Sequence, residues 1–181
     1  MDKRDIEKNV NIMLERYGYS QEHDNYIDIV DFVRKLGFSV GSAELEDNDD
    51  GFLIVQPNGV DGLNDRIIGV NSKRSYEFKR FIIAHEFAHF ILHYKGGSAY
   101  LHRENKKGKN EEENEADYYA ANLIMPKNSF LREYNNLKNS GLENNAIGVQ
   151  LASIYKVPLE SALRRISEVI DIQAPKAHFG Y

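Results

Sequence analysis

The stretch Phe81-Ile82-Ile83-Ala84-His85-Glu86-Phe87-Ala88-His89, followed by Phe90, Ile91 and Leu92, decides the reading of this chain. Ser75 is a helix N-cap six residues upstream, and Gly96-Gly97 is a stop signal downstream. The helix between them is apolar on nearly every side. Such a helix is central and buried rather than laid on a surface. Two histidines and a glutamate stand inside it, and burying them without partners would cost several kcal/mol.

Residues 85–89 read H-E-x-x-H, a pattern expected about 0.02 times by chance at this composition. His85 and His89, four apart, share one helix face with Cβ atoms about 5–6 Å apart. Their imidazoles can converge on one ion at ~2.0–2.1 Å per bond. Glu86 is rotated by about 100° and cannot join them in the same geometry. It is placed to take a proton from a water beside the ion, as a general base. With cysteine absent, any further ligand is His, Asp or Glu.

His93 lies at i+8 from His85, too far along a straight helix to close a tetrahedron, and reads as a supporting residue. The better source is the helix from about Glu111 to Ile124, whose apolar face carries Ala116, Ala120, Leu123 and Ile124. Glu113 shares that face, and the two alanines allow a close approach to the first helix. Glu113 is therefore the expected third ligand. Asp117, one turn on, is placed to orient a ligand histidine. The competing reading has Asn110 cap this helix with Glu113 at N3 of a capping box. Glu115 shares its face with Tyr118, Tyr119 and Asn122 and reads as more exposed.

Outward from these helices, Ile6, Val10, Met13, Leu14 and Tyr17 recur at helical spacing over 4–17. A second helix is expected from about Tyr26 to Leu36, stopped by Gly37. Residues 38–45, 51–56 and 66–71 are β-rich runs separated by turn chemistry, read as a small antiparallel sheet. Residues 98–110, with Lys106, Lys107 and Lys109, read as an exposed loop. Pro126 stops the Glu113 helix, and 127–173 reads as three shorter helices broken at Gly141 and Val157-Pro158. Two of them, around Gln150 to Arg165, resemble a helix-turn-helix. Their charges argue against DNA: from 141 onward Lys156, Arg164, Arg165 and Lys176 are balanced by Glu143, Glu160, Glu168 and Asp171. A helical hairpin packed on the core, or a docking surface, is the expectation. The division is thus 1–126 as core, 127–173 as helical appendage and 174–181 as tail.

The 181 residues suit one α+β domain, and 28 acidic against 23 basic side chains give a net charge of −5. That balance disfavours direct nucleic-acid binding. No strictly apolar run exceeds four residues, and the first ten lack the pattern of a signal peptide. The expectation is a cytoplasmic protein without a membrane span.

The two segments 81–89 and 113–126, the latter Glu113-Asn114-Glu115-Ala116-Asp117-Tyr118-Tyr119-Ala120-Ala121-Asn122-Leu123-Ile124-Met125-Pro126, resemble the ImmA/IrrE family of metallopeptidases. Tyr119 stands where that family usually has Phe, and Ile124 where it has Leu. The resemblance implies a zincin-like, thermolysin-like arrangement, with zinc on His85, His89 and Glu113 and Glu86 as general base. Mn²⁺ or Fe²⁺ also suits such a donor set. It implies a protein substrate, commonly a helix-turn-helix repressor or an antitoxin, and an extended substrate is expected to add to the sheet edge at the Arg66–Asn71 strand. Transition-state stabilisation needs a further donor, for which Tyr94, Tyr118 and Tyr119 are near in sequence. The rival expectation is a metal-containing module that sequesters its partner without cutting it.

Overall fold

A computed structural model of the chain describes residues 1–20, 24–57, 65–104 and 111–171. Asp2 caps α1 (Lys3–Arg16) by accepting from the Asp5 N–H, and Asp28 caps α2 (Ile29–Lys35) by accepting from that of Asp31. The second helix therefore starts three residues later than its apolar pattern suggests, because Asp28 satisfies an amide that would otherwise lack a partner. Ser75 caps α3 (Tyr76–His93) as expected, its Oγ accepting from the Phe78 N–H. That helix ends at His93, ahead of the glycine pair; Gly96 and Gly97 take positive φ in the turn beyond it. Next come α4 (Glu111–Ile124), α5 (Lys127–Asn139), α6 (Asn144–Tyr155) and α7 (Leu159–Asp171), with the predicted breaks between the last three.

The sheet departs from the sequence reading in three ways. Its strands are β1 (Ser39–Ala43), β2 (Asp49–Gln56), β3 (Asp65–Asn71) and β4 (Ala99–Glu104), in the order β1-β3-β2-β4. The sheet is mixed rather than antiparallel, because β3 inserts between β1 and β2 and pairs parallel with β1. The segment expected to be a loop supplies β4, which pairs antiparallel with β2 from Asp49↔Glu104 to Val55↔Ala99. Its sequence, AYLHRE, has no clean apolar alternation, as suits an edge strand. The third departure concerns the edges. The 66–71 run, expected to offer an open edge, is the interior strand β3, so the edges are β1 and β4. Lys106, Lys107, Lys109, the Asn110 cap and the 174–181 tail lie outside the described residues.

One face of the sheet covers α3. Leu53 and Val55 of β2 and Ile68 and Val70 of β3 are buried, and Leu53 pairs with Ile68. Gly51 permits the close fit, since a Cβ there would strike Ile82; on the other face of the sheet a Cβ on Gly69 would come within 2.2 Å of its cross-strand neighbour Phe52. On the opposite side α4 packs against α3, with Ala116 and Ala120 fully buried. The hydrophobic cluster is continuous from α1 to Ile147, Leu151, Tyr155, Ala162 and Val169 of the last helices. Buried Arg80 reinforces that junction, donating to the carbonyls of Ile27 at 2.9 Å and Lys156 at 3.1 Å. Among the described residues no helix is long and apolar enough to cross a membrane.

Candidate metal centre

His85 and His89 sit one turn apart in the buried middle of α3, and Glu113 faces them from the first turn of α4. The two Nε2 atoms are 2.9 Å apart. Glu113 reaches both, with Oε2 3.3 Å from His85 Nε2 and Oε1 3.1 Å from His89 Nε2. Ligands bound tetrahedrally at ~2.0–2.1 Å are separated by about 3.3 Å, so a small expansion around one ion turns the observed spacings into that geometry. Among the described residues these three form the group able to hold a metal ion. The cluster is closed at its base and open at its mouth: the His85 side chain is fully buried, while that of Glu113 is 32% exposed.

The base of the site fixes the tautomer. His85 Nδ1 lies 2.9 Å from Asp117 Oδ1, and Asp117 is buried. A carboxylate only accepts, so Nδ1 carries the proton and Nε2 presents its lone pair toward His89 and Glu113. This is the orientation a metal-ligating imidazole requires. The neighbouring His85 and His89 hold the Glu113 carboxyl well below the usual carboxylate range, against the opposing effect of burial. A carboxylate and two imidazole nitrogens at these spacings suit a divalent cation.

Glu86 is buried on the next position of α3, beside β2, and its Cγ would be 3.9 Å from a Cβ placed on Gly51. His93 stands apart from the three-residue group. Its Nε2–H donates to the Glu112 carbonyl at 3.2 Å, and its ring centroid is 5.3 Å from that of His89. Glu115 turns away as well, pairing with the N-terminal ammonium and lying 3.9 Å from His93. The three tyrosine hydroxyls have other partners. Tyr118 donates to Glu7 at 2.6 Å, Tyr119 to Asn9 at 2.9 Å and Tyr94 to the Gly97 carbonyl at 2.6 Å. Burial, with the hydrogen bond to Glu7 adding to it, pushes the Tyr118 hydroxyl up to about 12.

Two neighbours of the site were not singled out from sequence. Gly51 lets β2 close on Glu86 and carries no motif. Arg164 of α7 reaches Asp117 across 47 positions, with Nη1 3.2 Å from Oδ2. No local pattern encodes that contact. A search of curated proteins finds no match. Residues 33–167, most of the chain, match the M78 peptidase family in the region described as the IrrE N-terminal-like domain. The matched span contains His85, Glu86, His89 and Glu113 with both helices that carry them, and the chain belongs to this ImmA/IrrE family of metallopeptidases.

Proposed function

We propose that the protein is a zinc-dependent endopeptidase that cuts a regulatory protein partner, such as a helix-turn-helix repressor or an antitoxin. The observation that carries this reading is the convergence of His85 and His89, from the buried middle of α3, with Glu113 of α4 beside Glu86. A divalent ion held there supplies Lewis acidity, polarising a carbonyl and lowering the pKa of water toward ~7. Glu86 accepts the proton of the attacking water and delivers it to the leaving amine. Asp117 keeps His85 in the ligand tautomer throughout.

An extended substrate suits a zincin-like site with an open sheet edge. The edge on the β2 side is β4, whose Arg103 pairs in register with Gly51, the residue packed near Glu86. The helix-turn-helix-like pair α6–α7 then serves as packing and docking surface rather than as a DNA reader. The reading places the protein in the cytoplasm, where such partners work.

The test compares new protein N-termini in native cells carrying wild type or Glu86→Gln, at rest and under stress. A discrete set of termini that requires Glu86 supports the peptidase and names its substrate. Identical profiles in both conditions refute cleavage and favour a module that sequesters its partner.

A further inference from the structure

The base of the metal centre is tied to the C-terminal helix. Asp117 is 2% exposed and uses both oxygens: Oδ1 lies 2.9 Å from His85 Nδ1, and Oδ2 lies 3.2 Å from Arg164 Nη1. Arg164 is itself braced one turn further along α7, its Nε donating to Glu168 Oε1 at 3.1 Å. Next to it Arg165, 1% exposed, donates from Nη2 to Asn122 Oδ1 of α4 at 2.7 Å. A cavity of about 190 Å³ separates α7 from α3 and α4 at this level, walled in part by Phe78, Phe81, Ala121 and Ser161. Polar bonds from two arginines, rather than close-packed side chains, span that gap.

We propose that Arg164 is a positioning residue for the ligand histidine, acting through Asp117. The proposal rests on the metal-centre reading above. A carboxylate held at one oxygen can rotate about its Cβ–Cγ bond. Held at both, it presents a fixed lone pair to His85 Nδ1, and the imidazole keeps the plane that aims Nε2 at the ion. Removing Arg164 takes a directed cation away from Oδ2 at the cavity wall. The Arg164 side chain is 49% exposed, so solvent already screens part of its charge and the effect is a few-fold one. Because coupling is reciprocal, a metal on His85 also strengthens the seating of α7. The C-terminal hairpin is thereby part of the centre's geometry, and whatever binds α7 can alter metal affinity.

The test measures zinc affinity of the full chain by competition with a chromophoric chelator. Arg164→Ala is expected to weaken zinc by about 3–10-fold and Asp117→Asn by about 10–100-fold. Arg164→Lys, which keeps a cation near Oδ2, is expected within ~2-fold of wild type, as is Lys138→Ala, which removes a charge elsewhere. Hydrogen exchange supplies a readout that general destabilisation does not mimic. Zinc should slow exchange across 159–171 in wild type and do so less in Arg164→Ala. Should Arg164→Ala not fold, Arg164→Gln is read in the same way. Wild-type affinity in the Arg164 variant alongside a weakened Asp117→Asn overturns the proposal and leaves the metal centre standing. Wild-type affinity in both His89→Ala and Glu113→Ala overturns the centre itself and this proposal with it.

Discussion

Gly51→Ala tests whether the sheet closes on the metal helix as tightly as the geometry requires. The added Cβ would sit 2.5 Å from Ile82 Cγ2 and 2.8 Å from the Gly69 carbonyl oxygen, against about 3.5–4.0 Å for carbon atoms at ease. Neither neighbour gives easily. Ile82 is fully buried in α3, where a β-branched side chain has one strongly preferred χ1 rotamer. The Gly69 oxygen belongs to the backbone of β3, so moving it means moving an interior strand. Overpacking of this kind costs about 1–3 kcal/mol, and at about 2–4 °C per kcal/mol for a chain of this size the midpoint falls by roughly 2–12 °C. Gly41→Ala is the control, since a Cβ there meets nothing within 4 Å and the backbone needs no positive φ. It should be neutral or slightly stabilising through the unfolded state. The assay is thermal unfolding followed by circular dichroism. Equal midpoints for the two variants would refute the close-packing argument and the placement of Glu86 against β2.

The remaining predictions concern the site and one ion pair. Glu86→Gln should retain zinc while losing about 10²–10⁴-fold in cleavage, whereas His89→Ala should lose both; substantial cleavage by the former would remove Glu86 as base. Glu113→Ala should lower zinc affinity by at least about 100-fold and Glu115→Ala by less than ~3-fold, and the reverse ranking in a metal titration would transfer the ligand role to Glu115. At Glu7, burial raises the carboxyl, but hydrogen bonds from Tyr118 and Lys127 outweigh it and leave the pKa below its ordinary value. A lowered folded pKa contributes stability that is complete above the unfolded value and is lost as pH falls through the folded one. Wild type should therefore exceed Glu7→Gln by about 1–3 kcal/mol in urea unfolding near pH 7. The gap should narrow below about pH 4.5, near the unfolded carboxyl value; a constant gap down to pH 3 would refute the pairing.

What was legible in the sequence is what a single helix period encodes. Glu113 was found because it shares a face with Ala116 and Ala120, and both alanines are fully buried where α4 meets α3. The same arithmetic weighs against Tyr118 and Tyr119 as donors at the mouth of the site. At 100° per residue they stand about 140° and 120° from Glu113, on the side of α4 that turns to α1. Nearness along the chain said nothing about that direction; their hydroxyls reach Glu7 and Asn9 instead.

Other features resist any local reading because the relation that creates them is between segments. The run 39–43 pairs parallel with 65–71 only because the intervening strand crosses to the far side of β3, and no turn signal records which neighbour a returning strand will choose. The run 99–104, without clean alternation, becomes a strand because β2 has an edge to offer it; its backbone, not its side-chain pattern, supplies the reason. Arg164 illustrates the same limit within the site. Counted along the sequence it is one of four cations balancing four acids from residue 141 onward, with no net charge. Placed by the fold against a buried carboxylate, it touches the residue that orients His85. A charge sum discards direction, and direction is what brings Arg164 to Asp117 beside His85. The division of the chain at residue 126 also has to accommodate that contact, since a helix beyond it helps to shape the base of the centre.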